Sequence, residues 1–305
     1  MSEIKTIGVI GAGSMGAGIA NVFASNGYQV ILRDIEDKFV QGGIDRISKF
    51  LDGSVKRGKL DEAGKEEVLG RITGTTDLKD FKDVDFVVEA VLEKMELKQE
   101  VFKEVEGIVR DDIVLATNTS SLSITEIASV LEDPSRFAGM HFFNPPQVMK
   151  LVEIIYGYES SDETVAVVRE VAESIGKETV TVHKDSPGFI VNRIMIPQMI
   201  EAIKVLEEGI ATPEDIDKAM RYGLNHPMGS FELQDYAGVD IGYYVMEYFE
   251  QEYGDPRWTP PVTMKNMMRA GRFGKKAGKG FYDYDEDGNQ LPSEQAKNQE
   301  KLQGK

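Results

Sequence analysis

Ile4-Lys5-Thr6-Ile7-Gly8-Val9-Ile10-Gly11-Ala12-Gly13-Ser14-Met15-Gly16 is the stretch on which the fold turns. Ile4 to Ile10 is a short β-rich run. Gly11 to Gly16 punctuates it, and Ile19, Val22 and Phe23 then recur at helical spacing. The glycines spell G-x-G-x-x-G, which means little alone and much between a strand and a helix. Gly11 permits a tight turn, Gly13 lets the backbone approach a pyrophosphate, and Gly16 lets helix and strand pack closely. The helix, read as Met15 to Ser25, then turns free N–H groups at its start, Ser14 and Met15 among the candidates, toward the phosphates.

Tyr28 to Leu32 reads as the next strand, and Asp34 follows 18 residues after Gly16. A carboxylate there accepts hydrogen bonds from ribose hydroxyls and repels a 2′-phosphate, which favours NAD over NADP. Arg33 is a neighbouring cation, but alternation along a strand turns it away from Asp34. A flavin dinucleotide, or a glycine turn that merely meets a capping acid, stays open as an alternative.

Further along, helical stretches at about 37–70, 94–109, 124–131 and 162–175 alternate with strand-like runs at 72–76, 85–90, 113–117, 137–143, 151–156 and 178–182. The first helical stretch is broken near Gly58. Such alternation predicts an α/β fold, a Rossmann-type doubly wound, mainly parallel sheet covered on both faces. After His183 the pattern changes to successive helices, one of them opened by Thr212-Pro213-Glu214. The expected layout is a dinucleotide-binding domain over 1–184, an all-α domain over 185–285 and a polar tail over 286–305.

The chain has 305 residues, a net charge of −17 and no cysteine. Disulfides, Cys-ligated zinc and thiol nucleophiles are therefore excluded, and no metal site is expected. The acidity argues against nucleic-acid binding, because a phosphate backbone is repelled. It also requires local basic residues and helix N-termini to receive any polyanionic cofactor. No apolar run approaches a membrane span, and neither a signal peptide nor a transit peptide is evident, so a cytoplasmic setting is expected.

Asn118-Thr119-Ser120-Ser121, His141-Phe142-Phe143-Asn144-Pro145-Pro146 and Lys150-Leu151-Val152-Glu153 fall near strand ends. In an open α/β sheet the carboxyl ends of strands face the ligand crevice. Alcohol oxidation needs a base for the hydroxyl proton, and histidine, titrating near neutrality, suits the task. An imidazole used this way is oriented by an acceptor, and Glu153 lies 12 residues beyond His141. By composition alone the pairing stays open, since a lone histidine beside an apolar run equally serves packing or capping. His183 and His226 read as structural.

NTSSLSI, RFAGMHFFNPPQVMKLVEI, KDSPGFIVNRI, HPMGSFELQDYAGVD and GKKAGKGFYDY occur in this order, from residue 118 to 284. With the glycine turn, they resemble the 3-hydroxyacyl-CoA dehydrogenase family, in its 3-hydroxybutyryl-CoA branch. The resemblance implies that His141 is the general base, that Glu153 orients it, and that Ser120 and Asn192 hold the substrate oxygen. It implies NAD contacts at Glu93, Lys98, Ser120, Asn144 and Lys276, besides Gly11, Gly13, Ser14, Met15, Gly16 and Asp34. It further implies an (S)-3-hydroxyacyl-CoA substrate, with Lys49, Lys56 and Arg57 as candidates for the CoA, and a homodimer. A relative acting on a non-CoA hydroxy acid such as a sugar acid keeps a similar Ser, His, Glu and Asn set. That reading and a non-catalytic NAD-binding protein remain as alternatives.

Overall fold

The structure, a computed structural model, describes residues 4–291. The chain divides into compact units, the first ending at Phe189 and the second beginning at Ile190. Phe189 belongs to the first because its ring is buried in that unit's core, 5.6 Å from the His141 ring.

The first unit runs β1 (Thr6–Ile10), α1 (Ser14–Ser25), β2 (Gln29–Arg33), α2 (Asp37–Lys56), α3 (Glu62–Gly70) and β3 (Ile72–Thr75). It continues through β4 (Phe86–Glu89), α4 (Met95–Glu106), β5 (Val114–Thr117), α5 (Ile124–Ala128), β6 (Phe137–Phe142), β7 (Leu151–Tyr156), α6 (Asp162–Ser174) and β8 (Glu178–Val182). The strands form one sheet in the order β3-β2-β1-β4-β5-β6-β7-β8. Chain order reverses beside β1, between β2 on one side and β4 on the other, and a crevice opens at such a switch point.

All neighbours in the sheet pair parallel except β6 and β7. That exception follows from loop length. The link from Phe143 to Lys150 is too short for a crossover helix, which a parallel pair requires. Helices cover both faces. Ile19, Val22 and Phe23 of α1, with Ile47 and Leu51 of α2, close over one face; Val101, Phe102 and Val105 of α4 close over the other.

The second unit runs α7 (Val191–Glu207), α8 (Pro213–Leu224), α9 (Ser230–Ala237), α10 (Val239–Tyr253) and α11 (Val262–Arg269). Thr212 caps α8 by accepting from the Asp215 amide with Pro213 in the first turn, the start the sequence predicts. Gly238, at φ 106°, divides α9 from α10. The unit is not purely helical. A small antiparallel hairpin joins β9 (Asp283–Tyr284) to β10 (Gln290–Leu291). Its turn carries Asp287-Gly288, with Gly288 at φ 76°, and Asp285 accepts from the Asn289 amide at 2.8 Å. The expected polar tail thus begins as ordered hairpin; its part after residue 291 lies outside the described residues.

Two buried carboxylates organise this unit. Asp217 of α8 accepts from the Phe231 and Glu232 amides at 2.8 and 3.1 Å, and from the Tyr282 hydroxyl at 2.8 Å. Asp235 of α9 accepts from the Phe281 and Tyr282 amides at 2.8 and 2.9 Å. A side chain on Gly280 would collide with Asp235, which explains the glycine there. Asp217 and Asp235 therefore staple two of the signature segments, the one around FELQDYAG and the GKGFYDY stretch, to each other.

Candidate active site

Gly11 and Gly16 are required by the packing of the turn. Gly11 stands at φ 101°, and a Cβ there would lie 2.6 Å from the Ala90 carbonyl oxygen. A Cβ on Gly16 would lie 1.7 Å from the Gly11 carbonyl oxygen, so only glycine lets α1 start this close to β1. Gly13 differs: a Cβ there would meet nothing within 4 Å, and its backbone is in the ordinary extended region at φ −66°. The fold does not need that glycine; a close-approaching ligand would.

No side chain caps the N-terminus of α1, and no acid lies in its first turn. Gly13 and Ser14 are exposed there and Met15 is half-buried. A helix start left in this way is an anion site. Asp34 sits beside it, half-buried, accepting from the Ala12 amide at 2.7 Å and the Ile35 amide at 2.7 Å. Each carboxylate oxygen has a further lone pair, so ribose hydroxyls can still be received. The Arg33 guanidinium is engaged with the Thr76 carbonyl oxygen at 3.3 Å. Open amides, a bare Gly13 and an adjacent carboxylate together fit NAD.

His141 and Glu153 are opposite residues in the β6–β7 pairing. His141 Nδ1 and Glu153 Oε2 are 2.7 Å apart. His141 is 5% exposed and Glu153 fully buried, so the pair interacts with little screening by water. In the tautomer that donates Nδ1–H to this carboxylate, Nε2 keeps its lone pair. Phe143 packs on the imidazole at 4.6 Å between centroids.

The Ser120 loop follows β5. Asn118 Oδ1 accepts from the Phe142 amide at 2.8 Å, tying this loop to the strand that carries His141. Glu93 Oε1 accepts from the Thr119 hydroxyl at 2.6 Å, from the Ser120 amide and hydroxyl at 2.8 and 3.2 Å, and from the Ser121 amide at 3.2 Å. Burial alone would raise the Glu93 carboxyl. The Lys98 ammonium, 3.3 Å from Oε2, and these hydrogen bonds outweigh it and hold the group below the usual carboxylate range. The Asn144 loop packs on α1, where Gly18 leaves room for Pro146.

Lys98 is 1% exposed and bonded to Glu89 at 2.7 Å, an interior ion pair rather than a surface cation. Lys49, Lys56 and Arg57 are exposed on α2 and at its C-terminal end. Asn192 lies in the first turn of α7, and Lys276, in the turn Lys275–Ala277, pairs with Asp240 at 2.7 Å; both belong to the second unit. Sequence reasoning missed Glu89. A carboxylate inside the apolar run Asp85-Phe86-Val87-Val88-Glu89 was the available signal, since a charge in such a strand demands a partner.

Comparison with known proteins accounts for both units. The family model described as the 3-hydroxyacyl-CoA dehydrogenase NAD binding domain matches residues 6–186, and that of the C-terminal domain matches 188–284. A 3-hydroxybutyryl-CoA dehydrogenase of Clostridioides difficile is 44% identical over 91% of this chain and 99% of its own. Another, from Bradyrhizobium diazoefficiens, is 40% identical over 92% of this chain and 96% of its own. The crystal structure of (S)-3-hydroxybutyryl-CoA dehydrogenase from Ralstonia eutropha superposes with a TM-score of 0.90 at 45% identity, covering 93% of this chain and all (100%) of that one. Matched in both halves and in the same order, this chain belongs to the 3-hydroxyacyl-CoA dehydrogenase family, whose members work with NAD.

Proposed function

We propose that this chain interconverts short-chain (S)-3-hydroxyacyl-CoA and 3-ketoacyl-CoA, with His141 as the general base. The observation that carries the reading is the buried His141–Glu153 pair, 2.7 Å apart. Bound NAD supplies the hydride acceptor for C3. His141 Nε2 takes the hydroxyl proton of the substrate. Glu153 holds the ring in the tautomer that leaves Nε2 free and stabilises the imidazolium that forms. Ser120 contributes a hydroxyl to the substrate oxygen, and Asn192 is the further candidate for that oxygen. In the reverse direction the imidazolium returns the proton.

The short-chain preference is supported by the relatives, named for 3-hydroxybutyryl-CoA. Lys49, Lys56 and Arg57 are the cations proposed for the CoA phosphates, offsetting locally the net charge of −17. A homodimer fits the apolar side chains exposed on the second unit, among them Ile194, Tyr222, Leu224 and Tyr244. No helix among the described residues is long and apolar enough to cross a membrane, and a cytoplasmic role in fatty-acid β-oxidation or butanoate metabolism is the setting we propose.

The test is consumption of NADH by the purified protein with acetoacetyl-CoA, followed by C8 and C16 substrates. Turnover should be fastest at C4. Turnover of a free sugar acid with none on the thioester would overturn the reading in favour of the non-CoA alternative. Light scattering on the eluting protein checks the dimer.

A further inference from the structure

Glu89 ends β4 with a fully buried carboxylate. Its Oε1 accepts from the Val91 amide at 2.6 Å and the Lys98 ammonium at 2.7 Å. Its Oε2 accepts from the Thr117 hydroxyl at 2.6 Å. One side chain thus braces the end of β4, the loop after it, the end of β5 and the first turn of α4. Lys98, 1% exposed, meets Glu93 Oε2 at 3.3 Å on its other side. Glu93 in turn gathers the Thr119, Ser120 and Ser121 donors onto its Oε1.

The charges therefore alternate along a line, from Glu89 through Lys98 to Glu93, and end at the loop that carries Ser120. A buried ion pair is often no more stabilising than apolar residues of the same volume. What it does supply is direction, because an ammonium with fixed partners has one place to sit. The groups facing Glu93 are Lys98 from α4 and Thr119, Ser120 and Ser121 from the loop after β5, with Glu89 behind Lys98.

We infer that Glu89 is a positioning residue for Ser120, acting through the Lys98 ammonium and Glu93. The inference rests on the reading of Ser120 as a substrate-side hydroxyl. Glu89 itself acts at a distance from the reacting atoms. Its effect is to keep the Ser120 loop in one geometry while substrate and cofactor exchange.

The informative variant is the double Glu89→Gln/Lys98→Met, which removes both charges together. Lys98 removed alone takes from the buried Glu89 carboxylate its ammonium partner. Amide hydrogen exchange on the full chain is the first readout. Protection at Ser120 and Ser121 should fall, while the β1, β4 and β5 amides keep theirs. The second readout is kinetic: kcat should drop about tenfold, with KM for acetoacetyl-CoA within about threefold of the parent, as expected for a misplaced group. Parental protection at Ser120 and Ser121, or a parental kcat, would overturn the inference. Should the double variant fail to fold, Glu89→Asp carries the test. It keeps the charge and withdraws the carboxylate by one methylene, and the same local loss of protection is expected. If the parent itself shows no turnover, the activity reading falls, and the exchange measurement still decides the role of Glu89.

Discussion

His141 and Glu153 face one another as directly paired residues of antiparallel strands, imidazole nitrogen to carboxylate oxygen at 2.7 Å. Opposite residues in such a pair have Cβ atoms about 5 Å apart, so contact is built into the register. A slip of one residue in β7 would turn Glu153 to the face of the sheet opposite His141. Replacing His141 with Gln is expected to lower kcat at least about 100-fold, the scale of a lost acid–base group. NAD affinity, measured by titration calorimetry, should stay near the parental value, because the glycine turn is on other strands. Glu153→Gln should lower kcat by about 10²–10⁴-fold, since an amide can offer its own N–H to Nδ1 and hold the ring in the wrong tautomer. A near-parental kcat in His141→Gln would remove it from the chemistry.

The glycines of the first turn separate fold from ligand. Gly16→Ala places a methyl 1.7 Å from the Gly11 carbonyl oxygen and should destabilise the protein by about 1–3 kcal/mol. Gly13→Ala has open space, so its melting temperature should stay within about 4 °C of the parent. NAD affinity should nevertheless fall in Gly13→Ala. Undiminished NAD binding would mean that the backbone at Gly13 is not approached by the cofactor.

Asp34 bears on the choice between dinucleotides. Asp34→Ala should weaken NAD binding by about 1.5–3 kcal/mol, the range for hydrogen bonds to a charged group. Binding of NADP should not weaken with it, because the repelling charge is gone. Calorimetric titration with each dinucleotide checks this, and equal losses for both would contradict the assignment.

Asp217 makes a prediction about pH. Burial pushes its carboxyl from 3.8 up to about 6, against the opposing pull of the Phe231 amide, the Tyr282 hydroxyl and the Glu232 amide. The Tyr282 hydroxyl is itself pushed up, by burial first and then by the facing carboxylate, so it remains a donor. An acid whose pKa is raised on folding holds its proton more tightly in the native state. Its contribution to stability is full below the unfolded value and is lost as pH climbs from 3.8 to about 6. The loss is up to about 3 kcal/mol. In urea melts, Asp217→Asn should therefore gain on the parent as pH rises through that window. A difference independent of pH would show that Asp217 titrates normally.

Much of this was legible in the chain. G-x-G-x-x-G between a strand and a helix announced the NAD-binding domain. Asp287-Gly288, by contrast, is a hairpin signal hidden in a stretch whose composition reads as tail. The burial of Lys98 against Glu89 follows from how α4 lies on the sheet. No local pattern reports that depth.

The sequence by itself determined the alternation of strands and helices, the glycine turn and the residue types available for acid–base work. These are local properties, set by side-chain period and backbone sterics. Only the tertiary structure decided that β7 runs antiparallel to β6 and so lays Glu153 against His141, and that Glu89, Lys98 and Glu93 line up behind the Ser120 loop. Those relationships join residues on different elements, and their free energy comes from exclusion of water and from pairing of charge in the interior, neither of which exists until the sheet has closed.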